Sequence, residues 1–316
     1  MRADAPAGLP HLAGLPFLTD GGLETCLVFH EGLELPCFAA FVLLKDEAGL
    51  ATLRRYFRPY LALAREMGTG FVFESPTWRA SRDWGERLGY GAAALAAANR
   101  RAMDLGVELR RAAPELPMVL SGCVGPRGDG YSPAGLMAAG EARAYHAAQI
   151  EALAAGGAEM ITAITMTHAG EASGIALAAA ETGLPVAISF TLETDGRLPS
   201  GQTLADAVAE VDAATGAAPV YYMINCAHPT HFAHLFATEA DWTRRIRGLR
   251  ANASRCSHAE LDAATELDDG DPLDLGARYA ELHRVLPDLA VLGGCCGTDH
   301  RHVAAIARAC LRPRMG

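Results

Sequence analysis

The chain has 316 residues, of which 50% are hydrophobic and 20% are charged, so it can form a large apolar core. Its formal net charge of −10 argues against nucleic acid or an anionic membrane as a partner, because both bind basic surfaces. No apolar run reaches the roughly 18 residues of a membrane span. We expect Met1–Pro16, with its Pro and Gly residues, to be a surface arm and not a targeting signal.

Short apolar runs alternate with helical stretches along the chain. Eight runs are predicted to be strands: Phe17–Asp20, Phe71–Glu74, Met118–Gly122, Met160–Thr165, Val186–Phe190, Tyr221–Asn225, Gly248–Asn252 and Ala290–Gly294. The helices that follow them are predicted at about 47–67, 91–112, 140–155, 171–182, 203–214, 230–245, 276–286 and 299–311. Apolar strands that alternate with helices are typical of a parallel sheet covered by helices.

Eight such units predict a single (β/α)8 TIM barrel of the α/β class, one domain over residues 1–316 with its core at about 17–311. An open, doubly wound sheet is disfavoured because residues 20–25 lack the G-x-G-x-x-G spacing. Three strand-to-helix connections are long: 123–139, 191–202 and 253–275. Such loops lie over the carboxyl ends of barrel strands, where we expect the substrate to bind.

The eight cysteines lack the regular spacing of a disulfide framework, which favours a cytoplasmic protein that uses cysteine for metal binding or catalysis. Lys45 is the only lysine and lies before the first predicted helix, which argues against Schiff-base chemistry.

Three cysteines follow predicted strands in a pattern that suggests a metal site. Cys226 follows the sixth strand, and Cys295 and Cys296 follow the eighth, among glycines that free the backbone to turn both sulfurs toward one point. Three thiolates with a fourth position open are typical of catalytic zinc. A redox-active Cys295–Cys296 disulfide is the alternative. Five further cysteines are expected to be packed thiols: Cys26, Cys37, Cys123, Cys256 and Cys310.

Several motifs together resemble the homocysteine S-methyltransferase family. The most specific is Gly-Gly-Cys-Cys-Gly-Thr at 293–298; weaker ones are Asp-Gly-Gly at 20–22, Thr-Trp-Arg-Ala-Ser at 77–81, Gly-Pro at 125–126, Glu-Ala at 171–172 and Asn-Cys at 225–226. The similarity covers about residues 17–311. The resemblance implies a zinc barrel whose ligands are Cys226, Cys295 and Cys296, with the open position for the acceptor thiol.

The resemblance also assigns substrate-binding positions. Asp20 corresponds to a residue that holds the amino group of homocysteine, although a turn-capping role is the alternative. Asn225 is predicted to orient the cysteine ligands through a hydrogen bond. Betaine-using members have two aromatic residues where this chain has Trp78 and Arg79, and Arg79 would repel a quaternary nitrogen. Aromatic candidates for a cationic donor are Phe38, Trp78, Trp84 and Tyr131.

One position departs from the family. Where relatives place a glutamate that pairs with the acceptor's amino group, this chain has Ile164, followed by Thr165. Either Glu74 supplies the missing carboxylate beside Asp20, or the acceptor is a thiol without that amino group and Arg79 meets its carboxylate. The second explanation is slightly favoured by the sequence.

The predicted function is therefore zinc-dependent methyl transfer from a small cation, such as S-methylmethionine or S-adenosylmethionine, to homocysteine or a related thiol. A corrinoid-linked methyltransferase and a non-catalytic zinc or redox sensor are the alternatives. The expected partners are the thiol and the donor, with an assembly of identical chains left open. Four histidines near strand ends are expected to be loop or capping residues and not ligands: His168, His228, His231 and His300.

Overall fold

The computed structural model describes residues 9–14, 16–131 and 135–311. Eight strands form a closed parallel barrel in chain order, with β1 paired to both β2 and β8. The strands are β1 Phe17–Leu18, β2 Gly70–Glu74, β3 Met118–Val124, β4 Met160–Met166, β5 Val186–Thr191, β6 Pro219–Asn225, β7 Ile246–Ala251 and β8 Val291–Gly294. The predicted (β/α)8 barrel is thus confirmed, with shifts of one to two residues at most strand ends.

Helices cover the barrel. They are α1 Leu23–Thr25, α2 Glu47–Glu66, α3 Arg82–Arg87, α4 Ala92–Ala112, α5 Ala139–Ala155, α6 Ala169–Thr182, α7 Leu204–Thr215, α8 Pro229–Phe232, α9 His258–Ala263, α10 Pro272–Val285 and α11 His300–Cys310. No described helix is both long enough and apolar enough to cross a bilayer. Lys45 lies directly before Asp46, which caps the start of α2 by accepting a hydrogen bond from the Gly49 N–H.

The helix predicted at 230–245 is wrong as a continuous element. Only the four residues of α8 are α-helical, and 3₁₀ turns at Ala233–Phe236 and Asp241–Arg245 lead into β7. The rings of Phe236 and Trp242 lie 5.7 Å apart. These short turns therefore bring Phe236 and Trp242 together without a continuous helix.

The amino-terminal end of the barrel is closed by a 3₁₀ turn at Pro10–Ala13. Leu9 and His11 are buried there, so the prediction of a surface arm is wrong for these residues; residues 1–8 and 15 lie outside the described ranges. The His11 ring contacts the rings of Phe17 and Tyr221 at centroid distances of 5.7 and 5.6 Å. This turn fills the base of the barrel with packed side chains, which we call the floor.

Candidate active site

A cavity of about 400 Å³ opens at the carboxyl ends of the strands, at the end of the barrel opposite the floor. Nine of the ten predicted site residues line it: Asp20, Glu74, Trp78, Arg79, Ile164, Thr165, Cys226, Cys295 and Cys296. The tenth, Asn225, is fully buried directly beneath Cys226. Residues that are far apart in sequence are adjacent here because every parallel strand ends at the same rim.

The three predicted metal ligands converge. The Sγ atoms of Cys226, Cys295 and Cys296 lie within 4.8 Å of one another, and the described residues contain no other group of three or more candidate ligands this close. The structure pairs Cys226 with Cys295 as a disulfide, and the Cys296 Sγ lies 3.9 Å from that of Cys226. The disulfide is therefore not the vicinal Cys295–Cys296 pair considered from the sequence.

Unusual backbone conformations direct these side chains. Cys226 has a φ of 51°, in the left-handed region that non-glycine residues rarely occupy, and this turns its side chain out of the regular alternation of β6. Gly297 has a φ of 77° in the turn after the vicinal pair. Gly293 is needed for a different reason, because a Cβ atom there would come within 2.8 Å of the Asp20 carbonyl oxygen.

Each sulfur has a nearby polar side chain. The Asn225 Nδ2 lies 3.8 Å from the Cys295 Sγ, the Thr165 Oγ1 lies 3.9 Å from the Cys226 Sγ, and the Tyr131 hydroxyl lies 3.4 Å from the Cys296 Sγ. Asn225 and Thr165 also hold each other, since the Asn225 amide accepts from the Thr165 N–H at 2.9 Å and donates to its hydroxyl at 2.8 Å. Asn225 thus lies within reach of a cysteine sulfur, which the role predicted for it requires.

Asp20 is engaged within the protein. Its Oδ1 accepts from Arg250 at 2.7 Å and from the Thr19 hydroxyl at 3.0 Å, and its Oδ2 accepts from the Tyr56 hydroxyl at 3.0 Å. Burial alone would lower the pKa of Arg250, but the charges of Asp20 and Glu74 raise it, so the guanidinium stays charged. The Asp20 carboxylate is therefore already balanced by a buried cation.

Two glutamates on the cavity wall are less well paired. Burial raises the pKa of Glu74 to about 7 despite the nearby charge of Arg250, and the buried Glu74 Oε2 has no hydrogen-bond partner. Burial likewise raises the pKa of Glu24 to about 7. A cationic group that entered the cavity would stabilise the ionised forms of both carboxyls.

Arg79 is fixed at the cavity wall. Its guanidinium lies over the ring of Trp84 at 4.0 Å and over that of Trp78 at 4.8 Å. It donates to the Cys37 carbonyl and lies 3.6 Å from Asp129. Burial lowers the pKa of Arg79 from its ordinary value. Trp84 packs on this arginine and does not line the cavity, unlike the other three aromatic candidates, Phe38, Trp78 and Tyr131.

The remaining cysteine predictions have mixed outcomes. Cys26 and Cys123 are buried thiols, and Cys123 also lines the cavity. Cys37 is exposed, which contradicts the expected packing: it lies in a short turn with a left-handed backbone at the cavity mouth. Cys256 and Cys310 are only partly buried.

Of the four histidines near strand ends, His168 and His228 lie at helix caps as expected, whereas His231 and His300 lie within α8 and α11. His168 accepts from the Met137 N–H at 3.0 Å, and His228 caps α8 by accepting from the Thr230 N–H. His231 contacts the Arg255 carbonyl at 2.9 Å, and His300 begins α11.

Sequence reasoning missed Arg250 and Glu24. Arg250 interrupts the apolar residues of β7, and a charge inside such a strand was the available signal. Glu24 lies in α1, a one-turn helix that has no periodic pattern.

Comparison with known proteins shows the family of the chain. The profile of the homocysteine S-methyltransferase family matches residues 17–310. Two structures of the Escherichia coli homocysteine methyltransferase MmuM share the fold with TM-scores of 0.72. The oxidised form is 20% identical and covers 93% of this chain and 95% of its own; the metallated form is 19% identical and covers 94% and 97%. The apo form has a TM-score of 0.65. No curated protein sequence matches.

Because the family profile covers nearly the whole chain, this protein belongs to the homocysteine S-methyltransferase family of enzymes.

Proposed function

We propose that the protein is a zinc-dependent S-methyltransferase that moves a methyl group from a small cationic donor to a thiol acceptor. The observation that carries this proposal is the convergence of three cysteine sulfurs within 4.8 Å on the wall of a cavity at the barrel mouth. Family membership supports the reaction class, and the cavity's residues support the choice of metal and substrates.

In the reduced protein, Cys226, Cys295 and Cys296 would hold zinc. Three thiolates suit zinc and leave one position for a substrate, as catalytic sites require. When bound, zinc lowers the pKa of the acceptor thiol so that it reacts as a thiolate. Asn225 and Thr165 contribute by fixing the sulfurs of Cys295 and Cys226 from below.

The cavity wall suits a cationic donor. Among the described residues that line it, the acidic ones are Asp20, Glu24, Glu74, Asp129, Asp262, Glu266 and Asp268, and the basic ones are Arg79 and Arg250. Phe29, Phe38, Trp78 and Tyr131 add aromatic surface, and a sulfonium or ammonium over one such ring gains about 0.5–2 kcal/mol. S-Methylmethionine and S-adenosylmethionine fit this requirement. A direct displacement from either needs no cobalamin, flavin or nicotinamide.

For the acceptor, the contacts favour Glu74 as the partner of an amino group. Ile164 offers no charge, and Asp20 is balanced by Arg250. Arg79 is engaged by the Cys37 carbonyl and two indole rings, which weakens the proposal that it awaits a substrate carboxylate. Glu74, in contrast, has a buried carboxyl oxygen without a partner on the cavity wall. We therefore propose homocysteine, or a thiol with a similarly placed amino group, as the acceptor.

The test compares homocysteine with 4-mercaptobutyrate, the same chain without the amino group, using S-methylmethionine as donor. Glu74→Gln should lower kcat/KM for homocysteine roughly 10- to 100-fold, because a hydrogen bond to a charged group is worth about 1.5–3 kcal/mol. Use of 4-mercaptobutyrate should be unaffected.

Two other results would decide against parts of this proposal. Weak homocysteine use that improves in Ile164→Glu would show that the natural acceptor lacks the amino group. A zinc-loaded protein that methylates no thiol would favour a zinc or redox sensor, for which the Cys226–Cys295 pairing is the supporting observation.

A further inference from the structure

The three long loops at the barrel mouth meet in one stack of side chains beside the cysteines. Tyr131 lies in the loop after β3, Glu193 follows β5, and His258 begins α9 after β7. The rings of Tyr131 and His258 are stacked, with centroids 3.9 Å apart and planes 10° from parallel. The His258 Nδ1 lies 3.1 Å from the Glu193 Oε1, and its Nε2 lies 2.7 Å from the Cys226 carbonyl oxygen.

The Tyr131 end of this stack contacts the sulfur of Cys296. The Tyr131 hydroxyl lies 3.4 Å from the Cys296 Sγ and donates to it. The side chains near the other two sulfurs belong to residues of the barrel strands, Asn225 in β6 and Thr165 in β4. Tyr131 is therefore the one donor of the three that comes from a loop, and its placement depends on what holds that loop.

The contacts of His258 supply that support. Its ring is held through both nitrogens, so it presents a fixed face on which the phenol ring of Tyr131 rests. Because the ring is held in this way, the Tyr131 hydroxyl stays directed at the Cys296 sulfur. Side chains that donate to metal ligands orient them, and their removal typically costs 10- to 100-fold in metal affinity.

We propose that Tyr131 is a positioning residue for Cys296, and that Glu193 and His258 hold it there, which couples the ordering of the three loops to retention of the metal. This inference rests on the proposed zinc site. It predicts that changes in the loops, outside the barrel strands, alter how fast zinc leaves.

The test measures zinc release from reduced, zinc-loaded protein to a chromogenic chelator. Tyr131→Phe keeps the stacked ring and removes only the hydroxyl, and it should release zinc about 10- to 100-fold faster. In the cobalt-substituted protein, the thiolate-to-cobalt absorption band should shift, because one thiolate loses its donor. Tyr145→Phe is the matched control. The Tyr145 hydroxyl contacts Ser81 and the Asp83 N–H and not the cysteines, so its loss should change neither readout.

Glu193→Ala tests the coupling. It should speed zinc release by a smaller factor, and the double variant with Tyr131→Phe should release zinc no faster than Tyr131→Phe alone. Wild-type release and an unchanged cobalt band in Tyr131→Phe would overturn the role of Tyr131, and additive effects in the double variant would overturn the coupling. A wild-type protein that binds no zinc when reduced would instead contradict the proposed function.

Discussion

The two ends of the barrel are built from the same eight strands but contain opposite kinds of residue. At the floor, the inward side chains are apolar and tightly packed, among them Phe17, Val72, Met160 and Val291. At the mouth, the same strands end in acids, an arginine and cysteines around an open cavity. The floor's strand side chains pack against one another, and among the described residues only His11 brings buried polar atoms without hydrogen-bond partners there, whereas the mouth leaves an acid, Glu74, partly unsatisfied and Cys226 in a strained backbone. Stability and chemistry are therefore assigned to different ends of each strand.

The largest expected effect is at the mouth. Cys296→Ala removes one of three ligands, so zinc content should fall to a small fraction of one per chain. Activity should drop at least ~1,000-fold, since a catalytic metal supplies several kcal/mol of transition-state stabilisation. In the metal-free proteins the thermal unfolding midpoint should change little, because Cys296 lines an open cavity. Cys310→Ala, in α11, is the control and should keep both zinc and activity. A fully active Cys296→Ala protein with normal zinc would contradict the metal assignment.

A substitution at the floor should lower stability and leave zinc content and activity nearly unchanged. Met160→Ala deletes a fully buried side chain from the packed end of β4, which should cost about 2–5 kcal/mol of unfolding free energy. The protein that remains folded should hold zinc and turn over at nearly the wild-type rate. Denaturant unfolding and zinc content, measured on the same sample, check this. A large loss of zinc at unchanged stability would show that the two ends are not separable.

The smallest expected effect is a pH dependence that differs in sign between the ends. At the floor, burial lowers the pKa of His11 to about 4 from 6.5, so the folded state prefers the neutral ring. Stability from this residue is complete above pH 6.5 and is lost as the pH falls toward 4, by roughly 3 kcal/mol in all. At the mouth, burial raises the pKa of Glu74 to about 7 from 4.5, so stability is instead lost as the pH rises from 4.5 to 7.

Denaturant unfolding at pH 4.5, 5.5 and 7 separates the two contributions. Relative to His11→Phe, the wild-type protein should become less stable as the pH falls. Relative to Glu74→Gln, it should become less stable as the pH rises. Slopes of the same sign in the two comparisons would show that one of these residues does not titrate as its surroundings imply.

The repeated strand-and-helix pattern made the fold predictable from sequence. Each strand of a parallel barrel is buried on both faces and is mostly apolar in sequence, so all eight were located. The cysteine cluster was predictable for a related reason, because strand ends share one rim and the three cysteines follow two such ends. The ends of elements were less predictable, as at residues 230–245, where packing of Phe236 on Trp242 needs no continuous helix.

The sequence could not show which side chains contact each other across the barrel. Arg250 and Asp20 form an ion pair although 230 positions separate them, and no local pattern marks such a pair. The burial of His11 was hidden in the same way, since a polar residue between Pro and Gly looks like a surface segment until the barrel's open base requires a cover. Both omissions concern contacts that exist only after the barrel closes.

The left-handed backbone at Cys226 has a consequence for protein engineering. Thr165, across from it on β4, shares this conformation with a φ of 67°, and Asn225 ties the two residues together. Non-glycine residues in this region cost of order 1 kcal/mol or more each, and they persist only where the surroundings enforce them. A designer who grafts the three cysteines onto another barrel scaffold will therefore need to copy these two turns and their amide tether, since side-chain identity alone would leave the sulfurs pointing along ordinary strand directions.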